Sequence, residues 1–181
     1  MIIAKEKKKK NIIEYLLYMW QLEDMIRGFD FDMDKINKYI ISQFDVDDKT
    51  RAEMKQWYES LVETMKNEGV EKKGHIQVLE SIVRELRDLH IRLLRSPFHQ
   101  DYQKLFSETM PYLIEYQQKS NDKAKSVIDQ ALEVMYGIWM LRIKKHSISQ
   151  ATQEAVKKIS EFLSLLALKY HKLENDEDFQ L

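Results

Sequence analysis

The sequence is short of the residues that interrupt helices, and it has no cysteine. Only four glycines and two prolines occur in 181 residues. Because glycine and proline are the main breakers of regular structure, most of the chain is free to continue in helix. The absence of cysteine excludes disulfide bonds, thiolate catalysis and cysteine-bound zinc. This composition favours a reducing compartment, and we expect a cytoplasmic protein.

Charge of one sign is also missing, because 29 basic residues face 30 acidic ones and the net charge is −1. No global field attracts nucleic acid or an anionic membrane, so we expect neither as a partner. The exception is the segment Lys5 to Lys10, which holds five lysines and precedes an apolar stretch, as in a secretory signal. Glu14 interrupts that stretch, which is too short to span a bilayer. We interpret the segment as the solvated start of a helix, with a membrane-surface anchor as the alternative.

Apolar residues recur at helical spacing along nearly the whole chain, which predicts an all-α fold. We expect one domain over residues 1–181, folded as a compact antiparallel bundle of six to seven helices with short connections. The predicted helices cover about residues 4–27, 32–44, 48–67, 75–95, 100–119, 122–145 and 147–173. Residues 174–181 are predicted to form a frayed acidic tail.

Capping residues mark the ends of these helices. The predicted N-caps are Asp32 or Asp34, Asp47 or Asp48, Asn121 or Asp122, and Ser147 in a capping box with Gln150. Gly69 is expected to end the third helix in a left-handed conformation. Pro111 lies within the fifth helix, so that helix either kinks there or divides near Ser107. Gly137 in the sixth helix indicates a place where another backbone approaches closely.

The usual signatures of helical enzymes are absent. A di-metal bundle needs an acidic residue three positions before histidine on two helices, and none of the five histidines has one. The zinc-hydrolase motif His-Glu-x-x-His, a glycine-rich phosphate loop and the Gly-x-Ser-x-Gly elbow are missing too. We therefore assign no catalytic residue, metal ligand or cofactor, and the sequence favours a protein that is not an enzyme.

Three ionisable residues at core-facing positions form the candidate polar site. Glu23 and Arg27 are spaced i, i+4 on an apolar sector of the first helix, where a carboxylate must be paired or protonated. An intrahelical ion pair is the simpler interpretation, and a charge network lining a pocket is the alternative. His90 lies on the apolar stripe of the fourth helix, where a hydrogen-bonded core histidine is the simpler interpretation. As a ligand or general base it needs a partner, for which Glu23 is the candidate.

A second candidate is an anion-binding face on the fourth helix. Arg84, Arg87 and Arg95 share a broad side of that helix, and arginines bind phosphate or carboxylate through two hydrogen bonds at once. Acidic residues are interleaved with them, so a solvated face laced with salt bridges is the default interpretation. The three tryptophans, nine tyrosines and nine methionines have helical spacing and are expected in the core.

Several segments together resemble a known family. They are Asn11 to Asp24, Trp57 to Leu61, Asn67 to Val70 with Lys73 to His75, and Tyr136-Gly137. This set is similar to a family of small bacterial proteins designated as domain of unknown function 4924, over nearly the whole chain. The resemblance implies a bacterial, all-helical, single-domain protein, and it brings no activity and no site residues with it.

These observations lead to three hypotheses about function. The first is a helical-bundle module that acts through a protein partner or as a homodimer, because the first helix is apolar almost all round and needs extensive cover. The second is a small-molecule or metal site around Glu23, Arg27 and His90. The third is binding of nucleic acid or a membrane surface through Lys5 to Lys10.

Overall fold

The described part of the chain is helical. The structure, a computed structural model, describes residues 2–119, 126–175 and 179–181. Within those ranges the α-helices are α1 Ile2–Lys10, α2 Ile12–Gly28, α3 Met33–Tyr39, α4 Asp48–Asn67, α5 Gln77–Arg95, α6 Gln100–Lys119, α7 Val127–Ile143 and α8 Gln150–Asn175, with a 3-10 turn at Ile41–Gln43. The all-α prediction is confirmed, and the described residues contain no strand and one α-helix more than the largest number predicted.

The additional helix arises at Asn11, where the predicted first helix divides into α1 and α2. The side-chain oxygen of Asn11 accepts a hydrogen bond from the backbone N–H of Ile13 at 2.9 Å. An asparagine that binds the backbone two positions ahead satisfies a free N–H at a helix start and competes with continued helix. The predicted unbroken helix over residues 4–27 is therefore wrong at this position.

Two predicted caps are confirmed. The carboxylate of Asp32 accepts backbone N–H bonds at the start of α3, and that of Asp47 accepts one at the start of α4. Gly69 follows α4 with a φ of 70°, the left-handed conformation expected of a residue that ends a helix.

The start of α8 differs from the prediction. The hydroxyl of Ser149, not that of Ser147, accepts the backbone N–H of Thr152 at 3.2 Å, so α8 begins two residues later than the predicted capping box. For the sixth predicted helix, the proposed caps Asn121 and Asp122 lie outside the described residues. The described helix α7 is capped by Ser126 in a reciprocal capping box with Asp129.

Pro111 and Gly137 both lie within helices. Helix α6 runs through Pro111 without dividing, so the alternative of a break near Ser107 is wrong. A Cβ atom added at Gly137 has no heavy atom within 4 Å among the described residues. The predicted close approach of another backbone at Gly137 is therefore absent from the described chain.

Contacts along the chain define two compact units. Unit 1 consists of residues up to Lys10 and of Glu14–Ser81, and unit 2 consists of Asn11–Ile13 and of residues from Ile82 onward. A single domain and a single antiparallel bundle stay predictions. No helix in the described ranges is long and apolar enough to cross a membrane.

Unit 1 buries the apolar face of α2 and one stripe of α4, and α3 packs on α4. The buried residues of α4 recur at helical spacing, as the sequence predicts, and they are Met54, Tyr58, Leu61, Val62 and Met65. The guanidinium of Arg51 donates to the carbonyl oxygens of Ile41, Phe44 and Val46, and so satisfies the backbone between α3 and α4.

Unit 2 is built from α6, α7 and α8, which contact one another, together with α5. The inner stripe of α5 includes Leu86, Leu89 and Leu93, all buried. The hydroxyl of Tyr170 on α8 donates to the carboxylate of Glu85 on α5 at 2.7 Å. These contacts place a continuous apolar layer between α5, α6 and α8, in which His90 lies.

Candidate functional site

In unit 1, the segment Val70–Ile76 between α4 and α5 is fastened to one face of α2. Trp20, Glu23 and Arg27 provide the contacts. Their spacing of three and four residues places all three side chains on the same side of the helix. We call this arrangement the 70–76 clamp.

Arg27 holds the first half of the clamped segment. Its guanidinium donates to the carbonyl oxygen of Val70 at 3.0 and 3.2 Å and to that of Gly74 at 2.5 Å. A further nitrogen donates to the carboxylate of Asp24 at 2.8 Å. The intrahelical partner of Arg27 is thus Asp24, and the predicted i, i+4 pair with Glu23 is wrong. The fixed fork of a guanidinium suits it to satisfy several carbonyls of an irregular segment at once.

Glu23 holds the second half of the segment and has no exposed surface. One carboxylate oxygen accepts the backbone N–H of Ile76 at 2.9 Å, and the other lies 2.5 Å from Nδ1 of His75. Ile76 directly precedes α5, and a negative charge is favourable at the N-terminus of a helix. The alternative in which Glu23 belongs to a buried charge network describes these contacts, since both of its oxygens meet donors.

The ring of His75 lies between this buried carboxylate and solvent. It stacks on Trp20 with the ring centroids 4.3 Å apart and the planes within 10°. Its side chain is 26% exposed, whereas Glu23 is fully covered. Nδ1 faces Glu23, and Nε2 has no hydrogen-bond partner among the described residues. Because a carboxylate only accepts, Nδ1 carries the ring proton and Nε2 keeps its lone pair.

Tyr15, one turn and a half before Glu23 on α2, shows that the carboxylate charge acts beyond its hydrogen bonds. Burial raises the pKa of the Tyr15 hydroxyl, and the charge of Glu23 raises it further. The phenol therefore stays neutral at physiological pH and adds no charge to the clamp.

His90 lies in the apolar layer of unit 2, away from bulk solvent. Its Nδ1 is 2.7 Å from the hydroxyl of Tyr102, and its ring meets the rings of Phe106 and Phe162 edge-on. Burial lowers the pKa of His90 from 6.5 to about 4, so the ring is neutral at pH 7. These are the contacts of a hydrogen-bonded core histidine. A direct approach of His90 to Glu23 stays a prediction, since the hydrogen bonds of each are made within its own unit.

The arginine face of α5 is partly used in structure. Arg87 donates to the carboxylate of Asp129 at 2.5 and 3.2 Å, and that carboxylate also caps α7. Arg84 and Arg95 are exposed. Binding of an anion to this face stays a prediction, for which Arg87 has an acidic competitor already in place.

A polar cluster that sequence reasoning missed lies in unit 2 at the end of α8. The ammonium of Lys169, which is buried, contacts the carboxylate of Asp101 at 2.9 Å and Nδ1 of His99 at 3.3 Å. Nε2 of His99 is 2.8 Å from the carbonyl oxygen of Gln180, and Phe179 stacks on the ring. Because an ammonium has no lone pair, Nδ1 accepts and Nε2 donates. Both nitrogens of His99 are therefore occupied, unlike those of His75.

Unit 2 also has an open cleft of about 360 Å³ between the end of α6, the start of α8 and Val134 of α7. Tyr112, Tyr116 and Ile159 give it apolar walls, and Glu115 at its rim pairs with Lys119 at 2.6 Å. Within the described ranges, no group of three histidine, aspartate or glutamate side chains lies close enough to hold a metal ion. The carboxylate–histidine pair of the 70–76 clamp is thus the described site with an unused, solvent-facing nitrogen.

The fold and the clamp define a class: an all-α protein of two compact units with a buried carboxylate that orients a partly exposed histidine. The chain belongs to the family described as Domain of unknown function (DUF4924), whose model matches residues 1–177. Comparison with curated proteins and with solved structures finds no significant match. The expected family is confirmed, and the family description carries no activity.

Proposed function

We propose that the protein is a helical interaction module that pairs with a second copy of itself through the outer face of α7. The observation that carries the proposal is the composition of this helix. From Val134 to Leu141 it has no charged residue, and Arg142 is the one charge in its last ten positions. A helix that is apolar all round is stable in water only when it is covered all round.

In the described structure, α7 is covered on one side. Its buried residues are Ile128, Gln130, Ala131, Leu132 and Ile138. Met140 is half-buried, whereas Leu141 and Ile143 are 39% and 56% exposed. The first helix, which motivated the same hypothesis, gives weaker support, because most apolar side chains of α2 are buried within the chain. The need for further cover therefore falls on α7.

A second copy fits this face better than a charged partner does. Gly137, Met140 and Leu141 are spaced i, i+3, i+4 and form a flat apolar strip with open space above the glycine. An apolar strip without charges complements an identical strip, which is the condition for a two-fold interface. Glycine in such a strip lets two helix backbones approach closely. The close approach predicted at Gly137 is thereby assigned to the partner copy.

Sedimentation equilibrium over micromolar concentrations tests the proposal. We expect a dimer for the wild type and a monomer for Ile143→Asp and for Gly137→Leu, because a buried charge or an oversized side chain is costly in a packed interface. The matched control is Ile91→Asp on α5, where an exposed isoleucine (45%) lies outside the proposed face. A monomeric wild type, or equal effects of Ile91→Asp and Ile143→Asp, would contradict the proposal.

The second candidate function is ligand binding at the 70–76 clamp, which retains Glu23 and Arg27 from the sequence prediction and adds His75. The free Nε2 of His75 favours it. Titration with Zn²⁺ or inorganic phosphate, followed through the ring resonances of His75, tests this function. Resonances that stay unchanged up to millimolar concentrations would count against it.

A further inference from the structure

We infer that Nε2 of His75 is a nucleophile that accepts a phosphoryl group, with Glu23 as the residue that positions the ring. This inference deepens the second candidate function and is independent of self-association. It rests on three features of the 70–76 clamp: the tautomer of the ring, its access to solvent and the absence of any other task for Nε2.

The tautomer follows from the hydrogen bonds of Glu23. Its Oε1 is occupied by the backbone N–H of Ile76, and its Oε2 faces Nδ1 of His75 at 2.5 Å. A fully buried carboxylate needs a donor on each oxygen, so the ring proton is fixed on Nδ1. Histidine bound to a carboxylate in this way is more basic and better oriented at its other nitrogen. The nucleophilic lone pair is therefore held on Nε2.

Access distinguishes His75 from the other histidines that have a hydrogen-bonded ring. His90 and His99 are each 5% exposed, and both nitrogens of His99 are engaged. His75 is 26% exposed on the side of its ring away from Glu23, and stacking on Trp20 prevents the ring from rotating. A phosphoryl donor can thus approach a nitrogen that is already aligned, which lowers the entropic part of the barrier.

The surroundings of His75 favour an anionic group over a metal ion. No third metal-ligating side chain joins Glu23 and His75 in the described residues, so a cation would have a single protein ligand at Nε2. Lys72 and Lys73, both exposed, directly precede Gly74 and His75 in the chain. Ammonium groups on such a segment attract a doubly charged phosphoryl group.

The step is a substitution at phosphorus. The lone pair on Nε2 forms the N–P bond while the bond between phosphorus and its leaving group breaks, and the electron pair departs with the leaving group. The donor belongs to the phosphoramidates or acyl phosphates; from phosphoramidate the leaving group is ammonia. The ring gains positive charge while its proton stays on Nδ1, and the adjacent carboxylate of Glu23 stabilises that charge.

Incubation of the full chain with phosphoramidate tests the inference, with mass spectrometry at neutral pH used to locate and time the modification. His146, which is exposed and on the surface of the same chain, is the internal reference. We expect His75 to react about tenfold faster than His146, in spite of its lower exposure, because a carboxylate partner typically contributes that much. Equal or slower reaction at His75 would overturn the inference without any variant.

Glu23→Gln supplies the second measurement. The amide keeps the size of the side chain but offers N–H to Nδ1, so the ring proton moves to Nε2 and the lone pair is lost there. We expect the nitrogen resonances of His75 to report the exchanged tautomer and its phosphorylation to fall about tenfold, with His146 unchanged. An exchanged tautomer with an unchanged rate at His75 would contradict the inference. Retained binding of inorganic phosphate with no transfer would overturn the inference and leave the ligand-binding function standing.

Discussion

Two fully buried tyrosines allow a test in which the same chemical change has opposite effects on stability. Tyr58 in unit 1 and Tyr102 in unit 2 both have 0% exposure. The hydroxyl of Tyr102 is 2.7 Å from Nδ1 of His90, whereas that of Tyr58 has no hydrogen-bond partner among the described residues. Replacement by phenylalanine removes one oxygen in each case and leaves the ring in place.

The expected magnitude at Tyr102 follows from the state of its partner. His90 is neutral at pH 7, because burial lowers its pKa to about 4, and burial raises the pKa of Tyr102, so the hydroxyl donates and Nδ1 accepts. Tyr102→Phe therefore leaves a buried acceptor unpaired, which costs about 1 to 3 kcal/mol of unfolding free energy. For a chain of this length that lowers Tm by about 2 to 4 °C for each kcal/mol.

The expected result at Tyr58 has the other sign. Its hydroxyl is desolvated without a hydrogen bond, and the same desolvation raises its pKa. Removal of an unpaired buried hydroxyl restores about 1 kcal/mol or is neutral, since the penalty of burying it disappears. Tyr58→Phe should therefore leave Tm unchanged or raise it.

Urea denaturation followed by circular dichroism measures both free energies, with the double variant as the test of additivity. A loss of 1 kcal/mol or more in Tyr58→Phe would refute the reasoning, because it would show that the hydroxyl has a stabilising partner. An unchanged Tyr102→Phe would refute it as well, because the bond to His90 would then contribute nothing.

Two further predictions concern His90 and the 70–76 clamp. The folded pKa of His90 lies below its ordinary value of 6.5, so the unfolded chain takes up a proton that the folded chain does not, and stability falls as pH drops from about 6.5 to 4. Between pH 7 and pH 5 we expect a loss of about 2 kcal/mol that is absent in His90→Leu, measured by urea midpoints; identical slopes in the two proteins would contradict this. Arg27→Met should destabilise the chain by about 1 to 3 kcal/mol and increase amide hydrogen exchange in Val70–Ile76, because two carbonyl groups lose their donor, whereas Arg84→Met should leave exchange there unchanged.

Most helices could be predicted from the sequence because their signals are local. Asp32, Asp47 and Gly69 act on backbone groups within a few residues, and the apolar spacing of α4 decides its buried side. Asn11 was missed because its neighbours continue the helical pattern, so only the observed bond to the backbone N–H of Ile13 reveals the break. Where a signal is local but duplicated, as with Ser147 and Ser149, the sequence alone does not decide which serine is the cap.

The candidate site could be predicted only in part, because its bonds join distant parts of the chain. The position of Glu23 on the apolar side of α2 indicated a buried carboxylate that needs a partner. His75 lies 52 residues further on, in an irregular segment where periodicity gives no direction for a side chain. Its place directly after Gly74 and before α5 was the available signal, and it indicates only a backbone constraint.

The separation in sequence that hid the partner of Glu23 also bears on how fast the chain folds. The bonds from α2 to Val70–Ile76 span 43 to 53 residues, with α3 and α4 in between. Closing so long a loop costs entropy that the bonds repay only once the intervening helices have condensed. The clamp therefore belongs to the late side of the folding barrier, where its strength sets the lifetime of the native state and leaves the rate of folding almost unaffected.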